Sequence, residues 1–246
     1  MYIEHIDVID STNEELIRRA RVGGMPQVLI ATEQLAGRGR LGRTWVSNKG
    51  EGLYMSFLLR PEISVEKAPL ISLIMGLAAH EAIKEATGIE TKLKWPNDLV
   101  IDGKKVAGIL ASSEIKDGKP DFVVIGIGIN MFHSEFPEEI AVTATSLKLA
   151  GGTFIREDLE NSIVKSFNRY YDIFIREESF RAFMEEYNSL TVNVDRRVKV
   201  IEPGNEYEAD SMGVNENGEL MVRLDSKEIK CIRSGEVSVR GVYGYI

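Results

Sequence analysis

A basic loop carries the most distinctive chemistry of this sequence. Between Gly37 and Arg43, arginines at positions 38, 40 and 43 alternate with glycines, although the formal net charge of the chain is −8. Arginine forks bind phosphate or carboxylate oxygens in pairs, and glycine lets the backbone fold closely around a ligand. The loop therefore predicts a site that neutralises anionic groups. The alternative is a solvated basic loop without a ligand.

The same segment matches the pattern G-x-G-x-x-G of dinucleotide-binding folds. In those folds the third glycine opens a helix inside a βαβ unit, whereas the residues from Arg43 to Gly52 have poor helix-forming character. Three arginines would also be unusual where backbone amides must approach a pyrophosphate. The sequence has no G-x-x-x-x-G-K-[ST] phosphate loop either. If the chain uses ATP, we expect another architecture to bind it.

Two further stretches place polar groups on or beside tight turns. In the run from Lys94 to Asp98, Lys-Trp-Pro-Asn-Asp, the proline restrains the residue before it to an extended conformation and Asn-Asp favours a turn. The lysine, asparagine and aspartate of this turn are candidates for contacts with phosphates or magnesium, although a plain hairpin corner is the alternative. Lys105 enters a strand of small residues, where a solvated lysine is the simpler interpretation.

A glycine-rich strand follows, Ile125-Gly-Ile-Gly-Ile-Asn130. It places Gly126 and Gly128 on one face, and glycine inside a strand is costly unless another group must approach closely. We expect a flat ligand to lie against this face, with Asn130 as a polar group at its end.

The histidines and the single cysteine do not indicate a metal or hydrolase site. His5, His80 and His133 lie far apart in the sequence and lack the spacing of zinc ligands. We expect His80 to be structural, on a helix, and Cys231 to pack inside the C-terminal part of the chain.

The hydrophobic pattern predicts an α+β domain with a mostly antiparallel sheet, because strands cluster in hairpins and do not alternate regularly with helices. Predicted strands span 2–9, 28–32, 53–59, 91–94, 99–101, 105–114 and 122–129, and predicted helices span 14–21, 65–87, 156–175 and 178–190. From residue 193 the chain changes to short alternating strands with turn residues between them. We therefore predict two domains, 1–190 and 191–246.

Composition narrows the class of protein. The 246 residues are 43% hydrophobic and 28% charged, as in soluble globular proteins. No apolar run approaches the roughly 20 residues that cross a bilayer, and the N-terminus has no secretory pattern. A single cysteine favours the cytoplasm. The acidic balance argues against binding duplex DNA, which usually requires a basic face.

Taken together, these stretches closely resemble the biotin–protein ligases, over about residues 3 to 246. The matching segments are Ser11-Thr-Asn13, Gln34-x-x-Gly-Arg-Gly-Arg-x-Gly-Arg-x-Trp45, Lys94-Trp-Pro-Asn-Asp98, Gly103-Lys-Lys-x-x-Gly-Ile-Leu110, Gly126-x-Gly-Ile-Asn130 and the C-terminal Ser234-Gly-Glu-Val-Ser-Val-Arg240. The resemblance implies a catalytic domain similar to class II aminoacyl-tRNA synthetases, with a mixed or antiparallel sheet, followed by a small SH3-like β-barrel.

The resemblance also implies a reaction. Biotin is activated by ATP to biotinyl-5′-AMP and is then transferred to one lysine of a biotin carboxyl carrier protein or domain. Many bacterial relatives carry an N-terminal winged helix that represses transcription. Here the first strand is predicted from Tyr2 onward, so we expect a ligase without that role and without DNA binding, acting in the cytoplasm, and we expect a homodimer as in many relatives.

Site residues follow from the resemblance position by position. Lys105, Arg40 and Asp98 are the expected catalytic residues, with Lys105 bridging the biotin carboxyl group and the α-phosphate. The expected biotin site comprises Ser11, Thr12, Asn13, Gln34, Gly37, Arg38, Gly39, Arg40, Tyr54, Ser56, Lys105, Gly108, Ile109, Leu110, Gly126 and Gly128. The expected ATP site comprises Arg38, Arg40, Arg43, Trp45, Lys94, Asn97, Asp98, Lys105 and Asn130. Trp45 is expected to stack on adenine, and Asp98 either to bind Mg²⁺ with the nucleotide or to accept the proton of the incoming lysine.

Two alternatives stay open at this point. A lipoate–protein ligase is similar in fold and reaction, but that family lacks the long arginine-glycine loop followed by a tryptophan. A non-catalytic biotin sensor or a DNA-binding regulator belongs to a different class of protein. The presence of Lys105 and the expected absence of a winged helix oppose it.

Overall fold

A seven-stranded mixed sheet forms the scaffold of the protein, with strand order β1-β2-β3-β7-β6-β5-β4. The computed structural model describes residues 1–235, 237–242 and 245–246. In chain order the strands are β1 (Tyr2–Ile9), β2 (Gln27–Gln34), β3 (Gly52–Leu59), β4 (Lys92–Lys94), β5 (Asp98–Ile101), β6 (Lys104–Lys116) and β7 (Lys119–Asn130). Only β1 and β2 pair in parallel, and the other neighbours are antiparallel. The predicted α+β class with a mostly antiparallel sheet is confirmed.

Helices cover both faces of this sheet. They are α1 (Thr12–Arg21), α2 (Leu70–Thr87), the single turn α3 (Glu138–Ala141), α4 (Arg156–Glu177) and α5 (Arg181–Leu190). On β2, Leu29 packs with Leu16 of α1, while Val28 and Ile30 belong to the larger core that α2 and α4 complete. Successive strand residues point to opposite faces, so the two clusters lie on opposite sides of the sheet. No helix among the described residues is both long and apolar enough to cross a membrane.

The helix predicted at 65–87 begins later than expected. Val65–Lys67 forms a separate 3₁₀ turn, and α2 starts at Leu70, directly after Pro69. Proline has no backbone N–H and fits the start of a helix but not its interior. From there α2 is buried on nearly all sides, as is typical of a helix at the centre of a core.

A second, five-stranded antiparallel sheet lies at the C-terminal end, with order β11-β10-β9-β8-β12. Its strands are β8 (Arg197–Glu202), β9 (Asn205–Val214), β10 (Leu220–Arg223), β11 (Ile229–Ile232) and β12 (Ser238–Gly241). Cys231 is exposed, so the prediction that it packs inside was wrong. Its neighbour Ile232 is the buried residue of β11, and adjacent strand residues face opposite sides.

The two sheets are joined by hydrogen bonds as well as by a continuous apolar core. The buried indole of Trp95 donates from Nε1 to the carbonyl of Gly218 at 3.0 Å. The side chain of Asn188 in α5 bonds both the N–H and the carbonyl of Val214, at 2.8 and 3.1 Å. These contacts place the C-terminal sheet against the strands that carry the polar motifs.

Buried histidines make the stability of this fold depend on pH. His80 lies in α2, where Nδ1 is 3.0 Å from the hydroxyl of Thr91, and burial lowers the pKa of His80. Burial lowers the pKa of His133 in the same way. The unfolded chain binds a proton near the ordinary histidine pKa of about 6.5, and the folded chain does so only at lower pH. These two histidines therefore lower the free energy of unfolding as the pH falls through about 6.5.

We predict that His80→Asn, which retains a hydrogen-bonding group for Thr91, weakens this pH dependence. One histidine accounts for at most about 1.4 kcal/mol per pH unit. Urea unfolding of both proteins at several values between about pH 7 and 5.5 measures the slope, in a range above the ordinary carboxylate pKa values. The same slope in both proteins would show that burial of His80 does not cause the effect.

Candidate active site

Two neighbouring cavities share a wall formed by Gly39, Arg40, Trp45, Asn97 and Lys105. The smaller has a volume of about 50 Å³ and the larger about 600 Å³. The basic loop contributes to both, and so does the start of β6. A group bound in one cavity therefore lies beside a group bound in the other, which suits a reaction between two ligands.

The small cavity brings together the residues predicted to bind biotin, with one exception. Its lining comprises Ser11, Thr12, Asn13, Gln34, Arg38, Gly39, Arg40, Trp45, Tyr54, Met55, Ser56, Asn97, Lys105, Gly108, Ile109, Leu110, Gly126, Ile127 and Gly128. Gly37 is the exception, because it packs against the carbonyl of Trp45 and the hydroxyl of Ser47. Met55 belongs to no motif, and Ile127 is the variable position between Gly126 and Gly128; both lie on strands whose other residues had been singled out.

A chain of buried hydrogen bonds forms the polar part of the small cavity. The hydroxyl of Thr12 lies 2.6 Å from that of Ser56, which donates to Oδ1 of Asn13 at 2.5 Å. Oε1 of Gln34 accepts from the backbone N–H of Thr12 at 2.9 Å, and Nδ2 of Asn13 donates to the carbonyl of Leu110 at 3.0 Å. Such a fixed set of hydroxyl and amide groups in a small cavity suits a ligand with an amide-like edge.

Two glycines of β7 allow close contacts at the floor of this cavity. A β-carbon at Gly126 would lie 2.0 Å from Oδ1 of Asn13, and one at Gly128 would lie 2.5 Å from Nε1 of Trp45. The expected close approach therefore occurs, and in this structure protein side chains make it. The role predicted for Trp45, stacking on adenine, remains a prediction, while its indole here lies over the floor of the small cavity.

The indole of Trp45 has a buried N–H whose hydrogen bond is missing. Nε1 has no hydrogen-bond acceptor within the described part of the chain. A buried donor without an acceptor costs about 1–3 kcal/mol. The site therefore favours a ligand that offers an acceptor to this indole.

The large cavity has the charge expected of a site for a polyanion. Its described lining contains the basic side chains of Arg40, Arg43, Lys94, Lys105 and Arg240 together with a single carboxylate. Of the residues predicted to bind ATP, the lining includes Arg40, Arg43, Trp45, Lys94, Asn97, Asp98, Lys105 and Asn130. Arg38 does not line it: this arginine borders the small cavity and pairs with Glu14 at 2.8 Å.

Lys105 stands at the wall between the two cavities. Its backbone is held by the segment 143–145, since its N–H donates to the carbonyl of Thr143 at 2.7 Å and its carbonyl accepts from Thr145 at 2.9 Å. Its Nζ lies 2.6 Å from Oδ1 of Asp98 and 5.2 Å from the ring centroid of Trp45. Both members of the ion pair are largely buried, with side chains 26% and 12% exposed. The ammonium group is therefore fixed beside both cavities.

Two other cations of the site are partly desolvated. Burial lowers the pKa of Lys94 to about 8, against the opposing effect of the Asp98 carboxylate. Burial also lowers the pKa of Arg40. Cations with little water around them interact strongly with an anionic ligand. A phosphate bound here would therefore compensate the positive charge of these two side chains.

Arg40 connects the loop to the C-terminal sheet. Its guanidinium donates to Oδ1 of Asn97 at 3.1 Å and to the carbonyls of Gly235 at 2.6 Å and Val237 at 3.3 Å. It also donates to the carbonyl of Ser234. The sequence predicted Arg40 as a binding residue but did not indicate its carbonyl partners, which lie almost 200 positions away.

The sequence also missed part of the lining of the large cavity. These residues come from the segment after β7, from β12 and from the C-terminal segment: His133, Phe136, Ile140, Thr143, Ala144, Val237, Ser238, Val239, Arg240 and Tyr245. The four residues from Val237 to Arg240 lie within the matched C-terminal motif, but no local pattern pointed to a role in a cavity. Tyr245 is an isolated aromatic residue, and only the folded structure brings it to the site.

Comparisons with known proteins agree with this geometry. Residues 5–130 match the model of the biotin/lipoate A/B protein ligase family, and residues 194–240 match the biotin protein ligase C-terminal domain. The chain is 32% identical over 238 residues to the bifunctional ligase/repressor BirA of Bacillus subtilis, across 95% of this chain and 72% of that protein. It is 39% identical over 143 residues to the biotin–[acetyl-CoA-carboxylase] ligase of Mycobacterium tuberculosis, across 56% and 51%.

A solved structure is similar over nearly the whole length. The biotin protein ligase from Aquifex aeolicus in complex with biotin and ATP superposes with a TM-score of 0.84 at 34% identity, covering 98% of this chain and 99% of that chain. Both parts of the sequence and the complete fold thus match one kind of protein, and the chain belongs to the biotin/lipoate A/B protein ligase family, among its biotin protein ligases.

Proposed function

We propose that this chain activates biotin with ATP to biotinyl-5′-AMP and transfers the biotinyl group to one lysine of a biotin carboxyl carrier protein or domain. The observation that carries this proposal is the position of Lys105 on the wall between a small cavity with fixed polar groups and a larger basic cavity. Biotin in the first and ATP in the second would place the carboxylate and the α-phosphate on either side of the ammonium group.

The first step joins two anions. A carboxylate oxygen of biotin bonds to the α-phosphorus, and the bond from that phosphorus to the pyrophosphate oxygen breaks. Like charges repel strongly in a site with little water, and fixed cations offset this repulsion as charge builds in the transition state. Lys105 is proposed to act at the forming bond, with Arg40 and Arg43 on the nucleotide side.

The second step uses the same site. The ε-amine of the acceptor lysine attacks the carbonyl carbon of the mixed anhydride, an amide bond forms and AMP leaves. The amine must lose a proton, and the carboxylate at hand is Asp98, which pairs with Lys105 in the structure. Asp98 can serve in this step as the proton acceptor, or in the first step as an orienting group on the nucleotide side.

Magnesium fits this site as part of the nucleotide complex. Among the described residues, no three acidic, histidine or cysteine side chains cluster as a metal site would require. Mg²⁺ typically binds one or two carboxylates together with substrate phosphates, and Asp98 and Asn130 would supply the protein oxygens. When bound, the ion neutralises charge on the departing pyrophosphate.

The basic loop must move for biotin to bind. The small cavity measures about 50 Å³, whereas pockets for small ligands usually measure about 300–1,000 Å³. The indole of Trp45 lies against the glycine floor, so the segment 37–50 has to open before a bicyclic ligand can enter. Closure afterwards would shield the mixed anhydride from water.

The proposal also covers assembly, partners and domain structure. A net charge of −8 and a pI near 5.1 give no bulk field that attracts duplex DNA, so we propose that the protein does not bind DNA. By its resemblance to the biotin protein ligases and its single cysteine, we also propose a cytoplasmic homodimer. We also propose the two domains 1–190 and 191–246, the second as an SH3-like barrel, and a catalytic domain of the class II synthetase type. Light scattering and a gel-shift assay test the oligomeric state and the lack of DNA binding.

We predict that the protein, mixed with ATP, Mg²⁺, biotin and a carrier domain, adds one biotinyl group to one lysine of that domain. Intact-protein mass spectrometry followed by peptide mapping measures the product. Lipoate in place of biotin is the control, and equal use of both acids would favour the lipoate ligase alternative. Tight binding of biotin without any transfer would favour a sensor.

We predict that Lys105→Ala lowers biotin-dependent ATP–pyrophosphate exchange by about 10²- to 10³-fold, the effect expected when a fixed charge at a transition state is removed. The fold should stay intact, because the ammonium group faces the cavities. Lys104→Ala is the matched control, since the adjacent Lys104 is exposed. Exchange near the rate of the unmodified protein in Lys105→Ala would remove this lysine from the mechanism.

We predict that the loop becomes resistant to trypsin when the intermediate forms. Arg38, Arg40 and Arg43 provide cleavage sites within it. Limited proteolysis without ligand, with biotin alone, and with biotin and MgATP should show progressively slower cleavage at these arginines. Equal cleavage rates in all three conditions would contradict closure of the loop.

A further inference from the structure

A tyrosine of the C-terminal segment reaches the reacting centre of the proposed mechanism. The hydroxyl of Tyr245 donates to Oδ2 of Asp98 at 2.5 Å. The other oxygen of the same carboxylate, Oδ1, lies 2.6 Å from Nζ of Lys105. A hydroxyl, a carboxylate and an ammonium group thus lie in a row at the edge of the large cavity. The contact with the hydroxyl is a hydrogen bond, whereas the contact with the ammonium group is an ion pair without hydrogen-bond geometry.

The ring of Tyr245 is held as firmly as its hydroxyl. Nζ of the buried Lys94 lies 3.9 Å from the ring centroid, within the range of a cation–π contact. Burial and the nearby carboxylate raise the pKa of Tyr245 far above its usual value. A carboxylate oxygen accepts hydrogen bonds, so the phenol is the donor in its contact with Asp98.

The next residue, Ile246, is seated against two glycines. A β-carbon at Gly103 would lie 2.8 Å from Cδ1 of Ile246, and one at Gly241 would lie 2.1 Å from the backbone of Ile246. Gly103 belongs to the hairpin between β5 and β6, which leads directly into Lys105, and Gly241 ends β12. Ile246 is thus packed between the hairpin that leads to the lysine and the end of β12.

We propose that Tyr245 is a positioning residue for the activation of biotin, whose hydroxyl orients Asp98 and thereby holds Lys105 at the wall between the two cavities. This proposal rests on the proposed function. A carboxylate that is hydrogen-bonded at one oxygen and ion-paired at the other cannot rotate freely. Hydrogen bonds to charged groups are roughly twice as strong as neutral ones. A displacement of about 1 Å at a reacting centre can cost about 100-fold in rate, so the orientation of this carboxylate matters to the reaction.

Tyr245→Phe tests the role of the hydroxyl, because it keeps the ring and its contact with Lys94. In biotin-dependent ATP–pyrophosphate exchange we expect kcat to fall about ten-fold, the size of effect that one charge-assisted hydrogen bond can have. The KM for biotin should not change, since the polar cluster around Thr12 and Ser56 is untouched. Tyr2→Phe is the matched control: Tyr2 is 67% exposed on β1, and its variant should have the kinetics of the unmodified protein.

A double-mutant cycle with Asp98→Asn separates positioning from a general structural effect. If the hydroxyl acts through Asp98, adding Tyr245→Phe to Asp98→Asn should cause little further loss, because the two effects are coupled. A full ten-fold further loss would mean that Tyr245 acts elsewhere, and it would overturn the proposal. Equal thermal midpoints of the Tyr245→Phe variant and the unmodified protein check that the fold is intact.

Other outcomes are equally decisive. An unchanged kcat in Tyr245→Phe would overturn the role of the tyrosine and leave the proposed ligase activity standing. A lower KM for ATP with an equal or higher kcat would mean that Tyr245 competes with the nucleotide, which also overturns it. No biotin-dependent exchange in the unmodified protein would reject the proposed function, and the positioning role with it.

Discussion

The ion pair between Lys105 and Asp98 is the constraint on which the architecture of the site depends. A mostly buried ammonium group is costly unless a carboxylate lies close to it, and the 2.6 Å separation can be kept only if two strands are held in register. Strands β5 and β6 provide this register, with an irregularity at Leu99 and Val100. The apolar core formed with α2 and α4 fixes those strands. The position of the Lys105 ammonium group therefore depends on the packing of the core.

The C-terminal sheet takes part in the same arrangement. Arg40 spans from the loop to carbonyls at 235 and 237, and Tyr245 donates to Oδ2 of Asp98. Together with the bond from Trp95 to Gly218, these contacts make the two sheets a single support for the site. A shift of the C-terminal sheet would therefore also displace the basic loop and Lys105.

Local sequence patterns predicted most helices and strands and several residues of the site. Contacts between residues far apart in the sequence could not be predicted from such patterns. Periodicity gave the type of most elements, and Gly126 and Gly128 correctly indicated a close approach on β7. The partner of each close approach was not predictable, since Asn13 and Trp45 reach this strand only in the folded chain. The same holds for Tyr245, which no motif surrounds, and for Arg38, whose partner is Glu14 on α1.

The position of Trp45 has a consequence for how affinity arises. Its indole already covers the glycine floor of the small cavity, so that apolar surface is not wetted in the empty protein. A ligand that binds there exchanges one flat ring system for another, and it gains little from removing water at the floor. Its affinity then depends on the difference between its own contacts with the floor and those of the indole. It also depends on the contacts that the tryptophan side chain makes after it has been displaced. Such a site selects the ligand whose contacts with the floor best replace those of the Trp45 indole.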